Sequence, residues 1–508
     1  MAMMLLTERY AEKIRGVLSC FDRVVIQGTL PTLCHAQGMA GFLSYKNIRI
    51  FDYPRFAQPL RDELRENAQR VASENGLEIE FIRKKNFRKE KRIQEILNVR
   101  GNHPGLVHIF SAMEPCHTYK AWHDKQTHKT FLRTENGKCL HYYFYFIDEE
   151  LGLGYVRVPT WCPFRLQIYF NGHSWLQLRL VGAGTSHRLL DNAFCEISDF
   201  SQAQSLSDSF KVEQLHTKLD SFAQRFCPVI NQLDLRYHWS IMQAEYATDI
   251  VFKQREDLQS IYGHLTRTAI HSVKPENIAT FLGRKLHDKY EGEMGNNFNA
   301  RIEGTRIKHS MGPVSIKMYD KFGLILRIET TVNDVSFFKH YRMVEHRDGS
   351  QSKKLAQMKK GIYSLPALSK LLVAANRRYI EFISAIDDPS AGTKKLDKIS
   401  GTVINHDRSY KGFNLFSDDD QLLFQSIASP EFTISGFQNK HLRRKLKGKT
   451  SAQISRTIKR LHVHGLIRKI GHTYKYYLTK FGIQVITMGL KLKELVIIPH
   501  LAGHLHLA

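Results

Sequence analysis

The chain has 508 residues, more than one hydrophobic core accommodates, and its 42% hydrophobic and 11% aromatic content excludes a disordered polymer. Lysine and arginine total 74 against 49 acids, and the resulting +25 favours a polyanionic partner, nucleic acid first. No apolar run reaches the roughly 20 residues that span a bilayer. "MAMMLL" leads straight into Thr7, Glu8 and Arg9 without a secretory apolar region, and seven scattered cysteines suit a reducing compartment. A cytoplasmic protein with no membrane partner is expected.

Residues 1–127 alternate extended and helical signals and predict an N-terminal α/β domain. "DRVVIQG" (22–28), "EIEFIR" (78–83) and "GLVHIFSAM" (105–113) read as strands, with an amphipathic helix at 56–74 and a basic one at 88–99. Residues 128–202 are expected as a first β-hairpin block, in which Asn171-Gly172 sits between two alternating runs and signals a hairpin turn. Residues 203–386 read as a helical segment, with "YHWSIMQAEYATDIVF" (237–252) among its helices, plus a second β-hairpin block at 297–332 followed by helices. The polar stretch 387–414 reads as a linker, 415–490 as a winged helix-turn-helix and 491–508 as a tail. The fold class is therefore α+β and multi-domain.

The two β blocks resemble each other. "LQIY" (166–169) matches "IKMY" (316–319), and "LQLRL" (176–180) matches "LILRI" (324–328). Either a unit is duplicated, or two amphipathic hairpins share the same alternation.

In the C-terminal module, Ser417 is placed to cap a helix whose first turn is acidic. Phe437, Leu442 and Leu446 mark a second helix, and Ile454, Ile458 and Leu461 a third that Gly465 can end. Two strands follow around Gly471-His472. Between 434 and 480 there are thirteen cations and no acid. Arg443, Arg444, Lys445 and Lys447 lie on or after the second helix, Arg456, Lys459 and Arg460 lie off the apolar stripe of the third, and Arg468, Lys469 and Lys475 decorate the hairpin. These ten are the expected DNA-binding residues, the third helix facing a major groove and the wing facing phosphates. The segment resembles the DNA-binding domains of MarR-like regulators over about 415–490.

The stretch "SIKMYDKFGLILRIETTVND" (315–334) predicts a hairpin turned by Asp320-Lys321-Phe322-Gly323. Two-residue alternation sends Ile316, Met318, Leu324, Leu326 and Ile328 to one face and Lys317, Tyr319, Arg327 and Glu329 to the other. A phenol beside two cations and a carboxylate has the parts for attack on a phosphodiester, and equally for cross-strand pairing. The pattern resembles the tyrosine-bearing strand pair of rolling-circle replication initiators. That resemblance implies Tyr319 as nucleophile and Glu329 as a metal-site residue for Mg2+ or Mn2+. Lys317 and Arg327 would stabilise charge on the phosphate, and His309 is the nearest histidine. "HVH" (462–464) falls at the end of the third helix of the module and "HLH" (504–506) in the tail, both outside a sheet site.

Other groupings are weaker. Cys116, His117, Cys139 and His141 are a candidate zinc set without finger spacing. Glu245 and Asp249, one turn apart on the expected helix, call for an arginine or a metal. Asp22 and Glu114 flank strands and are candidates to meet at one sheet edge. "RKKNFRKEKR" (83–92) is a solvated basic helix or a second phosphate patch. No nucleotide-binding glycine loop, serine-hydrolase elbow or zinc-protease helix is present.

Through "FDRVVIQGTL", "HWSIMQAEYATDIVF", "FLGRKL", "EGTRIKH", "KMYDKFGLILRIETT" and "HGLIRKIGHTYKYYLTKFG", most of the chain is similar to a multi-copy family of bacterial proteins grouped as MarR-like on the terminal module. The resemblance implies no particular activity, while several copies per genome suit a mobile element. The expected function is DNA binding in a mobile or replicative element, with a strand-nicking, transposase-like body. The alternatives are a non-catalytic MarR-like transcriptional regulator and an RNA-binding accessory protein. Oligomeric state stays open, a dimer included.

Overall fold

The computed structural model describes residues 5–84, 86–287, 290–301, 304–386, 389–471 and 473–501. The chain divides into two compact units, Met1–Asp387 and Asp388–Ala508. Among the described residues no helix is long and apolar enough to cross a membrane.

The first unit is built on one eleven-stranded sheet. It begins with β1 (Ile14–Thr29), followed by the helices α1 (Tyr53–Glu74) and α2 (Lys89–Arg100), with the short β2 (Ile79–Phe81) between them. A meander of β3 (Gly105–Asp124), β4 (Lys129–Asp148), β5 (Gly152–Pro159) and β6 (Leu166–Asn171) then brings β6 back antiparallel to β1. Helix α3 (Gly172–Gly182) and a small hairpin of β7 (His187–Leu190) and β8 (Ala193–Ile197) follow. The pattern then repeats. β9 (His238–Phe252) leads into α4 (Arg255–Ser272) and α5 (Pro275–Phe281). The meander β10 (Met294–Arg301), β11 (Gly304–Met311), β12 (Val314–Lys321) and β13 (Ile325–Val332) returns β13 beside β9. The exposed hairpin β14 (Lys339–Glu345) and β15 (Gln351–Gln357) and the long α6 (Leu365–Ile386) complete the unit.

The two halves join through antiparallel β1 and β9, giving the order β10-β11-β12-β13-β9-β1-β6-β5-β4-β3-β2. An approximate two-fold axis passes through the facing pair Arg23 and Glu245. In one half Arg23, Val25 and Gln27 face Asn171, Tyr169 and Gln167, and in the other Glu245, Ala247 and Asp249 face Thr331, Glu329 and Arg327. The halves therefore repeat one topology, β5 and β6 standing where β12 and β13 stand.

Several expectations change. The three body segments 1–127, 128–202 and 203–386 share one sheet and are not separate domains. Residues 238–252 form a central strand, not a helix, because Trp239, Ile241, Tyr246, Thr248, Ile250 and Val251 are strand formers buried by layers on both faces. Asn171-Gly172 does not turn a hairpin. The Asn171 side chain accepts from the amides of His173 and Ser174 and caps α3, so residues 176–180 are helical and their match to 324–328 fails. Gly172 sits where a Cβ would come within 2.1 Å of the Phe21 carbonyl oxygen, which admits no side chain. A turn between β12 and β13 does form, but one residue on from the predicted Asp320–Gly323: Leu324 N–H donates to the Lys321 carbonyl at 3.1 Å, and Phe322 and Gly323 both take positive φ (61° and 71°). Helices were expected directly after 332, where β14 and β15 intervene.

In the second unit α7 (Pro389–Ser400) and a small hairpin of β16 (Val403–Asn405) and β17 (Arg408–Tyr410) occupy the expected linker. Ile399 and Phe413 belong to this unit's core, so 387–414 is structured beyond residues 387 and 388, which lie outside the described residues. Helices α8 (Asp418–Ile427), α9 (Asn439–Lys445) and α10 (Ser451–Val463) follow, then the hairpin β18 (Ile467–Lys469) and β19 (Tyr476–Leu478), then α11 (Lys480–Leu492). Ser417 caps α8 and Thr450 caps α10 through a reciprocal box with Gln453, while Gly465 (φ 75°) follows the end of α10. Phe424, Phe437, Leu442, Ile454, Ile458 and Leu461 converge on one core. His472 and the "HLH" at 504–506 lie outside the described residues.

Candidate functional site

Strand register assembles the site. Lys317 faces Glu329 across β12 and β13, and Tyr319 faces Arg327, so all four share one side of the sheet as alternation predicted. β9 lies on the other flank of β13 and places Asp249 opposite Arg327 and Glu245 opposite Thr331. β1 contributes Asp22 through a bulge. Phe21 faces Tyr246 and Arg23 faces Glu245, leaving Asp22 as the extra residue. A bulge bends the strand and re-aims a side chain.

Asp22, Glu245 and Glu329 bring three carboxylate oxygens within 4.8 Å of one another. Tyr319 Oη donates to Glu329 Oε2 at 2.6 Å, and Lys317 Nζ donates to Glu329 Oε1 at 2.6 Å and Glu245 Oε1 at 3.5 Å. Arg327, 0% exposed, grips Asp249 through Nε (2.6 Å) and Nη2 (2.7 Å), with Nη1 3.4 Å from Asp22. His173 on α3 lies 3.1 Å from Asp22 and 3.7 Å from Asp249. Asn192, in the turn between β7 and β8, donates to Asp22 at 2.7 Å, and its carbonyl accepts from Arg327 at 2.9 Å.

Burial opposes ionisation of Asp22 and Asp249, yet the surrounding cations win. His173 and Arg327 hold Asp22 well below the usual carboxylate range, and Arg327 and His173 bring Asp249 to about 2. Glu245 moves the other way, raised first by burial and then by the charge of Glu329. Burial and Glu329 hold the Tyr319 phenol well above its usual range, so it is a neutral donor.

This donor set fits a divalent cation. All three carboxylates offer hard oxygens, and among the described residues no other group of three or more His, Cys, Asp or Glu reaches such separations. Asp22, Glu245 and Glu329 would hold such an ion through one oxygen each.

Other candidates lie elsewhere. His309 pairs in register with Ile316, not with Lys317, and so faces the opposite side of the sheet. There it contacts Asn296 (2.6 Å) and Tyr379 of α6 (3.2 Å), and burial lowers it to about 4. It is not a member of the site. Glu114 and Asp22 do not meet, since Glu114 pairs with Arg157 (2.7 Å), Tyr143 (2.7 Å) and Lys89 (3.7 Å). Cys116, His117, Cys139 and His141 supply no group of three ligand atoms at such separations among the described residues, although Cys139 Sγ lies 3.8 Å from His141 Nδ1. Within 83–92, Lys89 lies 3.5 Å over the Tyr143 ring and Phe87 packs on Phe110, so that part is anchored to the sheet.

In the second unit, Arg443, Arg444, Lys445, Lys447, Arg456, Lys459, Arg468, Lys469 and Lys475 are exposed. Lys445 pairs with Glu431 at 2.6 Å, and Lys469 lies 5.3 Å from the Tyr474 ring centre. Lys459 and Lys469 line a groove of about 320 Å3 between α10 and the β18–β19 hairpin. Arg460 departs from expectation. It donates to Asp420 at 2.9 and 3.1 Å and to the carbonyls of Lys411 and Gly412, and stacks 3.8 Å over Phe413. Arg460→Ala is therefore expected to destabilise the chain by about 1.5–3 kcal/mol in thermal unfolding, whereas Arg456→Ala leaves melting unchanged.

His173, Asn171 and Asn192 escaped the sequence reading. Only the Asn171-Gly172 pair gave a signal, and it pointed to a turn. Compared with protein-family models, with curated proteins and with solved structures, the chain finds no match in any of the three.

Proposed function

We propose that the protein is a nucleic-acid-processing factor of a mobile or replicative element, whose first unit cleaves a phosphodiester and whose second unit is a winged helix on duplex DNA. One observation carries the catalytic part: carboxylates from β1, β9 and β13 converge beside a tyrosine that donates to one of them. Asp22, Glu245 and Glu329 would hold Mg2+ or Mn2+, which supplies Lewis-acid stabilisation of the phosphate when bound. The Tyr319 oxygen would bond to phosphorus, its proton passing to Glu329 Oε2. The displaced sugar oxygen would leave with a proton from solvent, and Lys317 would balance charge on the phosphate. Support for the DNA-binding part is the three-helix and hairpin order with exposed cations on α10 and its neighbours.

The test is incubation of the full chain with end-labelled single-stranded and duplex DNA in Mg2+ or Mn2+, resolved on a denaturing gel. Strand cleavage is expected, lost with EDTA and in Asp22→Asn and Glu245→Gln. Intact DNA under every condition would leave the regulator reading in place and remove the catalytic one. For the winged helix, Arg456→Ala and Lys459→Ala should each weaken duplex binding in gel shifts and reduce its salt slope by about one.

A further inference from the structure

The approximate two-fold axis maps the Arg327–Asp249 pair and Tyr319 onto a second place in the sheet. By register, Arg327, Tyr319 and Asp249 correspond to Gln167, Arg157 and Gln27. Those three residues line a cavity of about 170 Å3, together with His117, His141 and Arg165. At the related position the carboxylate and phenol have been exchanged for an amide and a guanidinium. Among the described residues no carboxylate lines the cavity.

We propose that this cavity is a phosphate-binding pocket. Arg165 Nε and His117 Nε2 are both buried and lack a hydrogen-bond partner, an arrangement that costs free energy unless an acceptor fills it. Arg165 is otherwise held by one bond, from Nη2 to the Cys34 carbonyl at 3.1 Å. Arg157 is tied to Glu114 through Nε (3.0 Å) and Nη2 (2.7 Å). Lys89 lies 3.7 Å from the same carboxylate, so Arg157, Lys89 and Arg165 outnumber Glu114 and leave the surroundings positive. Burial and then Arg165 lower His117, and burial and then Arg157 bring His141 to about 4. An anion would relieve both.

Size sets the ligand. The cavity is smaller than the ~300 Å3 at which sites for whole small molecules begin, so it takes a phosphate group rather than an enclosed nucleotide. The phosphate belongs either to a nucleic-acid backbone or to a free phosphate compound. The pocket stands whether or not the acidic triad cleaves.

Trp161 lines the pocket and provides a local probe. The full chain would be titrated with inorganic phosphate against chloride at matched ionic strength, following tryptophan emission and melting temperature. The expected result is a saturable emission change and a rise of about 3 °C at hundredfold excess over Kd. Arg165→Gln should lose both. Gln167→Glu, which places a negative charge at a half-buried position without removing an arginine, should also lose both while melting normally in chloride. Trp161→Phe should lose only most of the emission change. Absence of a saturable response, or an equal response in Arg165→Gln and Gln167→Glu, overturns the proposal. Competition by a single-stranded oligonucleotide assigns the phosphate to a backbone, and competition by a nucleoside monophosphate alone assigns it to a free compound.

Discussion

Arg327→Met is expected to unfold the first unit under conditions that the parent chain tolerates. The guanidinium is fully buried and serves Asp249 bidentately, with Asp22 3.4 Å from its third nitrogen. Removing it leaves two buried carboxylates facing each other's charge, and breaking a buried pair from one side costs about 3–5 kcal/mol. Set against a total stability of about 5–15 kcal/mol, that is a large fraction. Replacing Arg327 and Asp249 together by apolar residues should recover part of the loss, because the orphaned charge goes with the pair. Urea unfolding reads both effects, and a single-variant loss below 1 kcal/mol would falsify the assignment. Acid adds a second reading. Asp249 titrates at about 2 in the fold against about 3.9 in an unfolded chain. Its stabilisation is thus complete above about pH 4 and disappears as pH falls toward 2. The parent should lose stability steeply in that window and the double variant much less. His173 is held above its ordinary value, with burial opposed by Cys20, Asp22 and Asp249. Its contribution is complete below about pH 6.5 and is lost as pH rises through the folded value.

Tyr319→Phe should abolish a covalent protein–DNA adduct and slow strand cleavage at least about 10³-fold, while the fold survives because the ring remains. Glu329→Gln should abolish the adduct too, but for two reasons: the acceptor of the phenolic proton at 2.6 Å is gone, and so is one candidate ligand. Manganese binding separates them. Calorimetry should find Tyr319→Phe within twofold of the parent and Glu329→Gln weakened about 10- to 100-fold. Because burial and Glu329 keep the phenol protonated near neutrality, a phenylalanine there removes a hydrogen bond and not a charge. An adduct that persists in Tyr319→Phe places the nucleophile elsewhere.

Short-range periodicity decided which side chains of 315–334 share a face, since alternation in a strand needs no partner to be known. Lys317, Tyr319, Arg327 and Glu329 were therefore legible as one set, and so were the caps and apolar stripes of the C-terminal helices. Glu245 and Asp249 were noticed in the wrong company. Four residues apart, they share a face in a helix and in a strand alike, and only burial on both sides settles which it is. Asp22 was marked only as an acid flanking a strand and was matched with Glu114, because its direction comes from a bulge that exists only once β1 and β9 pair. Arg460 looked like a groove reader by its position on the helix, until Asp420 and the 411–412 carbonyls claimed it. Residue order along the chain determined the tools available, and pairing between strands distant in sequence decided which of them stand together, because register couples positions that no local pattern can relate.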